Sequence, residues 1–399
     1  MKNIFLSLFA LLFIGTSSSF GQTYNALLGQ DEINAITTSV PFLLIAPDSR
    51  SGALGDGGVS TSPDANSQHW NPAKYPFIEH DYGFSMSYSP WLKSLIDDIN
   101  LGYLAGYYKL DKLSVVSASL RYFTLGEIQF TDKVGNDAGT YKPNEFAVDV
   151  AYSRFLGDNF TGAVAFRYIR SDLTAGQYVS SGAKTEAGQS VASDVAIYYR
   201  KKIDLFDNDA VFAFGTNISN IGVKISYSEN LDRDFIPTNL RFGPSLKIIL
   251  DDFNAITLFA DVNKLLVPTP PVYAVDSNGI AIPDGNGYKI AEGMDPDRSV
   301  VDAMFTSFSD APLGFKEEMR EFYYSFGAEY NYDDMFLIRG GYFHEHATKG
   351  NRKYFTLGVG FKYTVFNLDI SYLIPTTQKN PLEHTLRFSL SFDFNNPTS

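Results

Sequence analysis

The sequence predicts an all-β protein: a fourteen-stranded antiparallel transmembrane β-barrel preceded by an N-terminal segment that folds into the lumen as a plug. Three observations carry this. Apolar and polar residues alternate with period two in fourteen separate runs. The connections between runs alternate between short and long. Aromatics make up 15% of the chain, with 33 Phe and 25 Tyr. Yet no segment after the N-terminus has the roughly 20 unbroken apolar residues of a membrane helix, so a membrane is crossed with strands.

Taken in order, Lys2 is followed by the apolar run IFLSLFALLFIG and the small residues TSSSFG. Residues 1–21 therefore read as a secretory signal peptide. The full sequence is acidic, with 45 Asp and Glu against 32 Lys and Arg and a net charge of −13, which argues against nucleic acid as a partner. It contains no Cys. Disulfides, thiolate catalysis, Cys-ligated metals and lipidation of an N-terminal Cys are all excluded.

Residues 22–80 precede the first strand and are rich in Gly, Pro, Ser, Asn and Asp from Ser39 to Phe77. Pro41, Pro47, Pro63, Pro72 and Pro76 stiffen this stretch, and the glycines of GALGDGG permit close approach to a wall. It is expected to fold back into the lumen and end in a fixed corner at Asn71 and Pro72.

The barrel occupies residues 81–399. Its runs lie near residues 81–89, 100–109, 113–123, 144–155, 159–170, 190–201, 210–219, 237–250, 254–264, 321–331, 335–345, 353–364, 366–374 and 384–394. Most are about the 9 to 11 residues a tilted strand needs to cross a bilayer. Short connections near Leu110, Leu156, Asp204, Asp251, Tyr332 and Val365 alternate with longer ones, the largest from Leu265 to Arg320. Tight periplasmic turns and larger outer loops have this pattern, and an even strand number returns both termini to the periplasm. Val359 and Leu390 fall on the lipid face; Ser389 faces inward, where a charge is expected to be tolerated better. Asp149, Arg167, Asp194, Asp261, Glu329, Arg339, Asp369 and Arg387 share the inner face, which suggests pairing across the lumen.

Two outer loops carry helical periodicity. In SPWLKSLIDDI, Leu92, Leu95, Ile96 and Ile99 recur at i, i+3, i+4 and i+7, next to Trp91. The same spacing is met by Val301, Met304, Phe305 and Phe308, with Ser299 as N-cap, Asp302 three residues on and Phe315 beyond. Such helices fold over the barrel mouth, rest on the lipid interface or dock a partner.

The search for chemistry assigns no catalytic residue, metal or cofactor. His344 and His346 lack a third ligand at suitable spacing. DSNG at Asp276 and DGNG at Asp284 lack the bidentate Glu of a calcium loop and read as β-turns. No nucleophile motif accompanies the five His residues, so an outer-membrane lipid-modifying enzyme is disfavoured.

The stretch IAPDSRSGALGDGGVSTSPDANSQHWNPAK, with Arg50 to Gly58 and Trp70, Asn71, Pro72 and Ala73 as its most specific elements, resembles the PorV family of the Bacteroidetes type IX secretion system. That family is a branch of the FadL-like fourteen-stranded barrels, and Asn-Pro-Ala before the first strand is shared among them. The resemblance implies an outer-membrane shuttle. Its partners would be a giant translocon barrel, secreted cargo recognised through a C-terminal signal domain, a cell-surface sortase or attachment complex, and outer-membrane lipid. The alternative is FadL-like uptake of a hydrophobic small molecule, which needs an apolar pocket and a lateral wall gap; the glycines of RGGYF and LGVGF would permit one.

Overall fold

The computed structural model describes residues 33–92, 98–131, 137–173, 185–228, 233–278, 280–285, 287–376, 381–383 and 385–396. The expected signal peptide, Leu95 and Ile96 lie outside the described residues. No helix among the described residues is long and apolar enough to cross a membrane.

The strands in chain order are β1 (Tyr82–Pro90), β2 (Ile99–Lys109), β3 (Ser114–Leu125), β4 (Ile128–Thr131), β5 (Asp137–Tyr141), β6 (Asn144–Gly157) and β7 (Phe160–Asp172). They continue with β8 (Gly188–Leu205), β9 (Asn208–Gly222), β10 (Asn239–Ile249), β11 (Asn254–Leu265), β12 (Val272–Tyr273), β13 (Pro283–Asp284), β14 (Gly287–Tyr288) and β15 (Ile290–Glu292). The last five are β16 (Tyr323–Tyr332), β17 (Phe336–His344), β18 (Lys353–Tyr363), β19 (Phe366–Pro375) and β20 (Leu386–Phe394). Fourteen of them form one closed antiparallel barrel, and β4–β5, β12–β15 and β13–β14 make two-stranded sheets in the long loops. Closure leaves no edge strand, the condition a sheet must meet in lipid.

The two-residue period dictates the faces. In β1, Phe84, Met86 and Tyr88 are exposed while Gly83, Ser85, Ser87 and Ser89 are buried. In β20, Leu386 and Phe388 point out while Arg387 and Ser389 are buried. Val359 is 56% exposed on the outer wall. Polar residues inside and aromatic residues outside invert the arrangement of a soluble domain, as lipid requires.

Turn chemistry sets the sidedness. Leu205 pairs with Asn208 across Phe206 and Asp207, both at positive φ (51° and 66°), which is the two-residue hairpin whose twist matches that of the strands. Tyr82 pairs with both Tyr108 and Phe394, so the two ends of the barrel sequence lie at its short-turn end.

Two expectations are corrected. The inner charges pair sideways between nearby strands and inward to the N-terminal segment instead of across an open lumen. Arg167 on β7 bonds Asp149 on β6 and Asp194 on β8, and Arg339 on β17 bonds Glu329 on β16 and Asp369 on β19. The lumen is filled, which removes the distance such pairs would have to cross. The glycines of RGGYF and LGVGF lie in β17 and β18, whose register is continuous from Phe336 to His344. Gly341 and Gly358 instead give room to Leu54, Gly55 and Ala53 of the N-terminal segment.

Candidate functional site

The segment from Val40 to Ile78 is almost wholly buried and bonds to strands around the barrel. It is built of short helical turns, Pro41–Leu44, Ser49–Gly52, Ser67–Trp70 and Pro72–Phe77, because its prolines and caps interrupt any longer helix. Asp48 caps Ser49–Gly52 by accepting from Ser51 N, and its other oxygen accepts from Trp70 Nε1 at 2.6 Å. The guanidinium of Arg241 covers the Trp70 ring at 4.6 Å.

Asn71, Pro72 and Ala73 form a corner with a specific mechanism. Asn71 Oδ1 accepts from Ala73 N at 2.9 Å and so starts the turn, in which Pro72 occupies the first position without a donor to leave unsatisfied. Asn71 Nδ2 donates to Val59 O within the segment and to Ile197 O on β8. Ala73 O accepts from Thr161 Oγ1 on β7 at 2.5 Å. One Asn thus caps the turn and fastens it to the wall.

Arg50 makes the other main tie. It donates to Glu329 of β16 at 3.2 and 3.3 Å, to Asp64 Oδ2 at 2.8 Å, and to the carbonyl and hydroxyl of Ser62. Further bonds run from Gly58 N and Val59 N to Asp261 on β11, from Gly55 N to Thr356 on β18, and from Ser49 N to Ser389 on β20. Ser389 is therefore no tolerant inward position, since its Oγ also meets Ser87 Oγ at 2.7 Å.

At the long-loop end, the sequence-predicted residues separate into two groups. Trp91 and Leu92 turn inward and pack on buried apolar clusters. Leu92 has a left-handed φ of 51° and Ile99 is the buried first residue of β2, so neither of these two residues is helical, contrary to the stripe expected in this loop. In the β11–β16 loop a helix forms over Val300–Thr306, with Ser299 Oγ accepting from Asp302 N at 3.2 Å, but it ends before Phe308, which lies just past its C-cap Ser307. Only Ala303 of this helix is buried. Phe305 is 76% and Phe315 79% exposed; Val301 and Phe308 are exposed and Met304 is partly buried. Val301, Phe305 and Phe308, at i, i+4 and i+7, present an uncovered apolar stripe.

This stripe adjoins the outer wall. Ser299, Val300 and Val301 line an apolar groove of about 1240 Å³ whose other side is Val148, Val150, Phe166 and Val191, lipid-facing residues of β6, β7 and β8. The groove lies over a register shift between Ser193 and Val195, where Asn220 (φ 60°) accepts from Arg167 and donates to Pro237 O.

The same loop also contributes to a buried charge cluster that sequence reasoning missed. Lys264, at the end of β11, contacts Glu318 and Glu321; Lys349, in the β17–β18 turn, contacts Glu317 and Glu321. Burial pushes the Asp310 and Glu318 carboxyls above the usual carboxylate range. At Glu317 burial acts the same way but is outweighed by Lys349, which holds it below. No period in the sequence announces these contacts, because they join residues 28 to 57 positions apart.

Comparison with known proteins decides the family. The family model described as "Type IX secretion system protein PorV" matches residues 28–272, more than half of the chain and including the whole lumen segment. The chain belongs to the PorV family. No curated protein matches it in sequence. Among solved structures, the toluene transporter TodX of Pseudomonas putida is similar with 12% identity and a TM-score of 0.50, over 92% of this chain and 100% of TodX. The toluene transporter TbuX of Ralstonia pickettii is 12% identical with a TM-score of 0.45, over 89% of this chain and 100% of TbuX. The TodX likeness supports a shared barrel fold and nothing about substrate. As a PorV-family barrel, the protein is an outer-membrane component of type IX secretion.

Proposed function

We propose that this barrel receives secreted cargo at the translocon of the type IX system and carries it to the cell-surface attachment complex, with both termini periplasmic and the long loops outside. Cargo would be recognised through its C-terminal signal domain, and the barrel would perform no catalysis. The observation that supports this most directly is the uncovered stripe of Val301, Phe305 and Phe308 beside an apolar groove on the lipid-facing wall. An apolar surface that runs from membrane wall to loop helix suits a partner that is itself embedded in the membrane, such as the wall of a second, larger barrel. The plugged lumen favours an adaptor over a conduit, since Arg50, Asn71 and Asp56 hold the segment against the wall.

Aromatic anchors carry most of the energy in such contacts. Phe305→Ala with Phe308→Ala is expected to lose about 2 kcal/mol or more of association, while the barrel still reaches the outer membrane. The test is co-purification from native membranes together with secretion of cargo. Loss of the large partner and cargo stranded in the periplasm is the expected result; unchanged secretion and co-purification would reduce this helix to a lid. The second reading, uptake of a hydrophobic small molecule, draws on the same apolar groove. Bound lipid or hydrocarbon without a protein partner would favour it.

A further inference from the structure

Four carboxylates, Asp310, Glu317, Glu318 and Glu321, and two ammonium groups, Lys264 and Lys349, are buried together where the β11–β16 loop meets the end of β11 and the β17–β18 turn. Counting these buried groups alone, the cluster has two more acids than bases. An uncompensated buried charge is costly, and two are more so. The excess is localised. Glu317 has Lys349, Asn34 Nδ2 and Leu313 N as donors, and Glu321 has Lys264, Lys349 and Thr269 Oγ1. Glu318 has Ala311 N at 2.8 Å and only a longer contact from Lys264 at 3.3 Å.

Asp310 is the exception. It is 1% exposed, its Oδ2 accepts from Thr269 N at 3.2 Å, and its Oδ1 has no donor among the described residues. Asp310, Glu318 and Glu321 each bring a carboxylate oxygen within 4.8 Å of the others, the only such group among the described residues. The convergence of oxygens, the orphaned Oδ1 and the excess of two negative charges ask for the same thing, a divalent cation with a preference for oxygen. All the candidate ligands are hard, and they come from a loop whose one short helical turn between them, Phe315–Glu318, does not impose an octahedron; both features favour Ca²⁺ over Mg²⁺.

We propose that Asp310, Glu318 and Glu321 form a calcium site that locks the β11–β16 loop to the end of the barrel. The cation would neutralise the excess charge while Lys264 and Lys349 keep their bonds to Glu321. It would fix the platform from Asp310 to Glu321, which lies between the helix Val300–Thr306 and β16 and carries the exposed Phe315. This inference does not depend on the identity of any protein partner.

The experiment uses the full chain in detergent after treatment with EDTA. CaCl₂ is titrated calorimetrically, with MgCl₂ as comparison, and hydrogen exchange is followed in the peptide spanning residues 309–321. Saturable calcium binding with Kd on the order of 10⁻³ M or tighter is expected, with slower exchange in that peptide on binding. Asp310→Asn, which keeps a similar shape, is expected to weaken binding by about tenfold or more. Glu345→Gln, an acid paired with Arg352 outside the cluster, is expected to bind as the parent does. Absence of saturable binding by the unsubstituted protein up to about 10 mM calcium, well above the range of extracellular sites, overturns the proposal whatever the variants do. So does equal binding by Asp310→Asn.

Discussion

Arg50 tests whether the plug and the wall are separate cooperative units. Its guanidinium satisfies Glu329 on the wall and Asp64 within the plug, with side-chain exposures of 8% and 24%. Arg50→Met keeps most of the stem's volume and removes the charge. Glu329 retains Arg339 at 2.6 Å, and Asp64 retains the N–H of Asn66 and some contact with solvent. The loss should therefore fall at the lower end of the range for a broken buried pair, about 3 kcal/mol. It should appear in the plug alone, because the strands close on each other through backbone bonds that Arg50 does not share. The chain has no Cys, so Ser60→Cys provides a single reporter at a buried position whose hydroxyl has no partner among the described residues. Thiol labelling from solution then measures plug opening. Adding Arg50→Met should accelerate it about a hundredfold without changing the temperature at which the barrel unfolds. Unchanged labelling would mean that Arg50 does not hold the plug. Labelling and barrel unfolding that shift together would mean that plug and wall are one unit.

Two further predictions address the membrane. Val359→Arg, near the middle of β18, should cost about 2–4 kcal/mol, whereas Tyr363→Arg, at the strand end, should cost about 0–1 kcal/mol; chemical denaturation in lipid vesicles measures both, and equal costs would dissociate the exposed face from lipid. An epitope tag at Gly285 in the long loop should be reachable on intact cells and one at Asp251 in a short turn should not, so labelling at Asp251 would invert the proposed orientation.

The wall was readable in the sequence because a strand has a strict period: Phe84, Met86 and Tyr88 announce their common face without reference to anything distant. The helix Val300–Thr306 was readable for the same reason, with a different period and the cap at Ser299. What covers either face is not a local property. The stripe of Val301, Phe305 and Phe308 looks like a core-facing stripe in sequence, and only its exposure distinguishes the two. The plug was readable as a Gly and Pro-rich segment ahead of the first strand, but its ties join residues such as Ser49 and Ser389, 340 positions apart, through one bond each. The lysines of the loop cluster gave no warning, since Lys264 and Lys349 belong to no repeat and each looks like an ordinary surface charge. In SPWLKSLIDDI the helical spacing borrowed Ile99 from a strand, so one apolar residue satisfied two periods and the longer-range pairing with Leu125 prevailed.

Gly340 and Gly341 offer a test that separates the two faces of one strand at adjacent positions. A Cβ on Gly341 would meet Gly55 N and the carbonyl carbon of Leu54, with Leu54 Cα at 2.8 Å, all backbone atoms of the plug. A Cβ on Gly340 would meet nothing closer than 3.9 Å, from Leu357 Cδ2 and Thr356 O. Overpacking costs about 1–3 kcal/mol, and backbone atoms yield less readily than a flexible side chain, so Gly341→Ala belongs near the upper end. The strain can be relieved only by moving the wall or the plug. The wall at this point is paired on both sides, Gly341 with Gly327 and with Thr356, so the plug gives way. In the Ser60→Cys background Gly341→Ala should label up to about a hundredfold faster, and Gly340→Ala should label as the parent does. A slip of one residue in the pairing of β17 would exchange the two faces, and the outcome would reverse, with Gly340→Ala loosening the plug and Gly341→Ala silent.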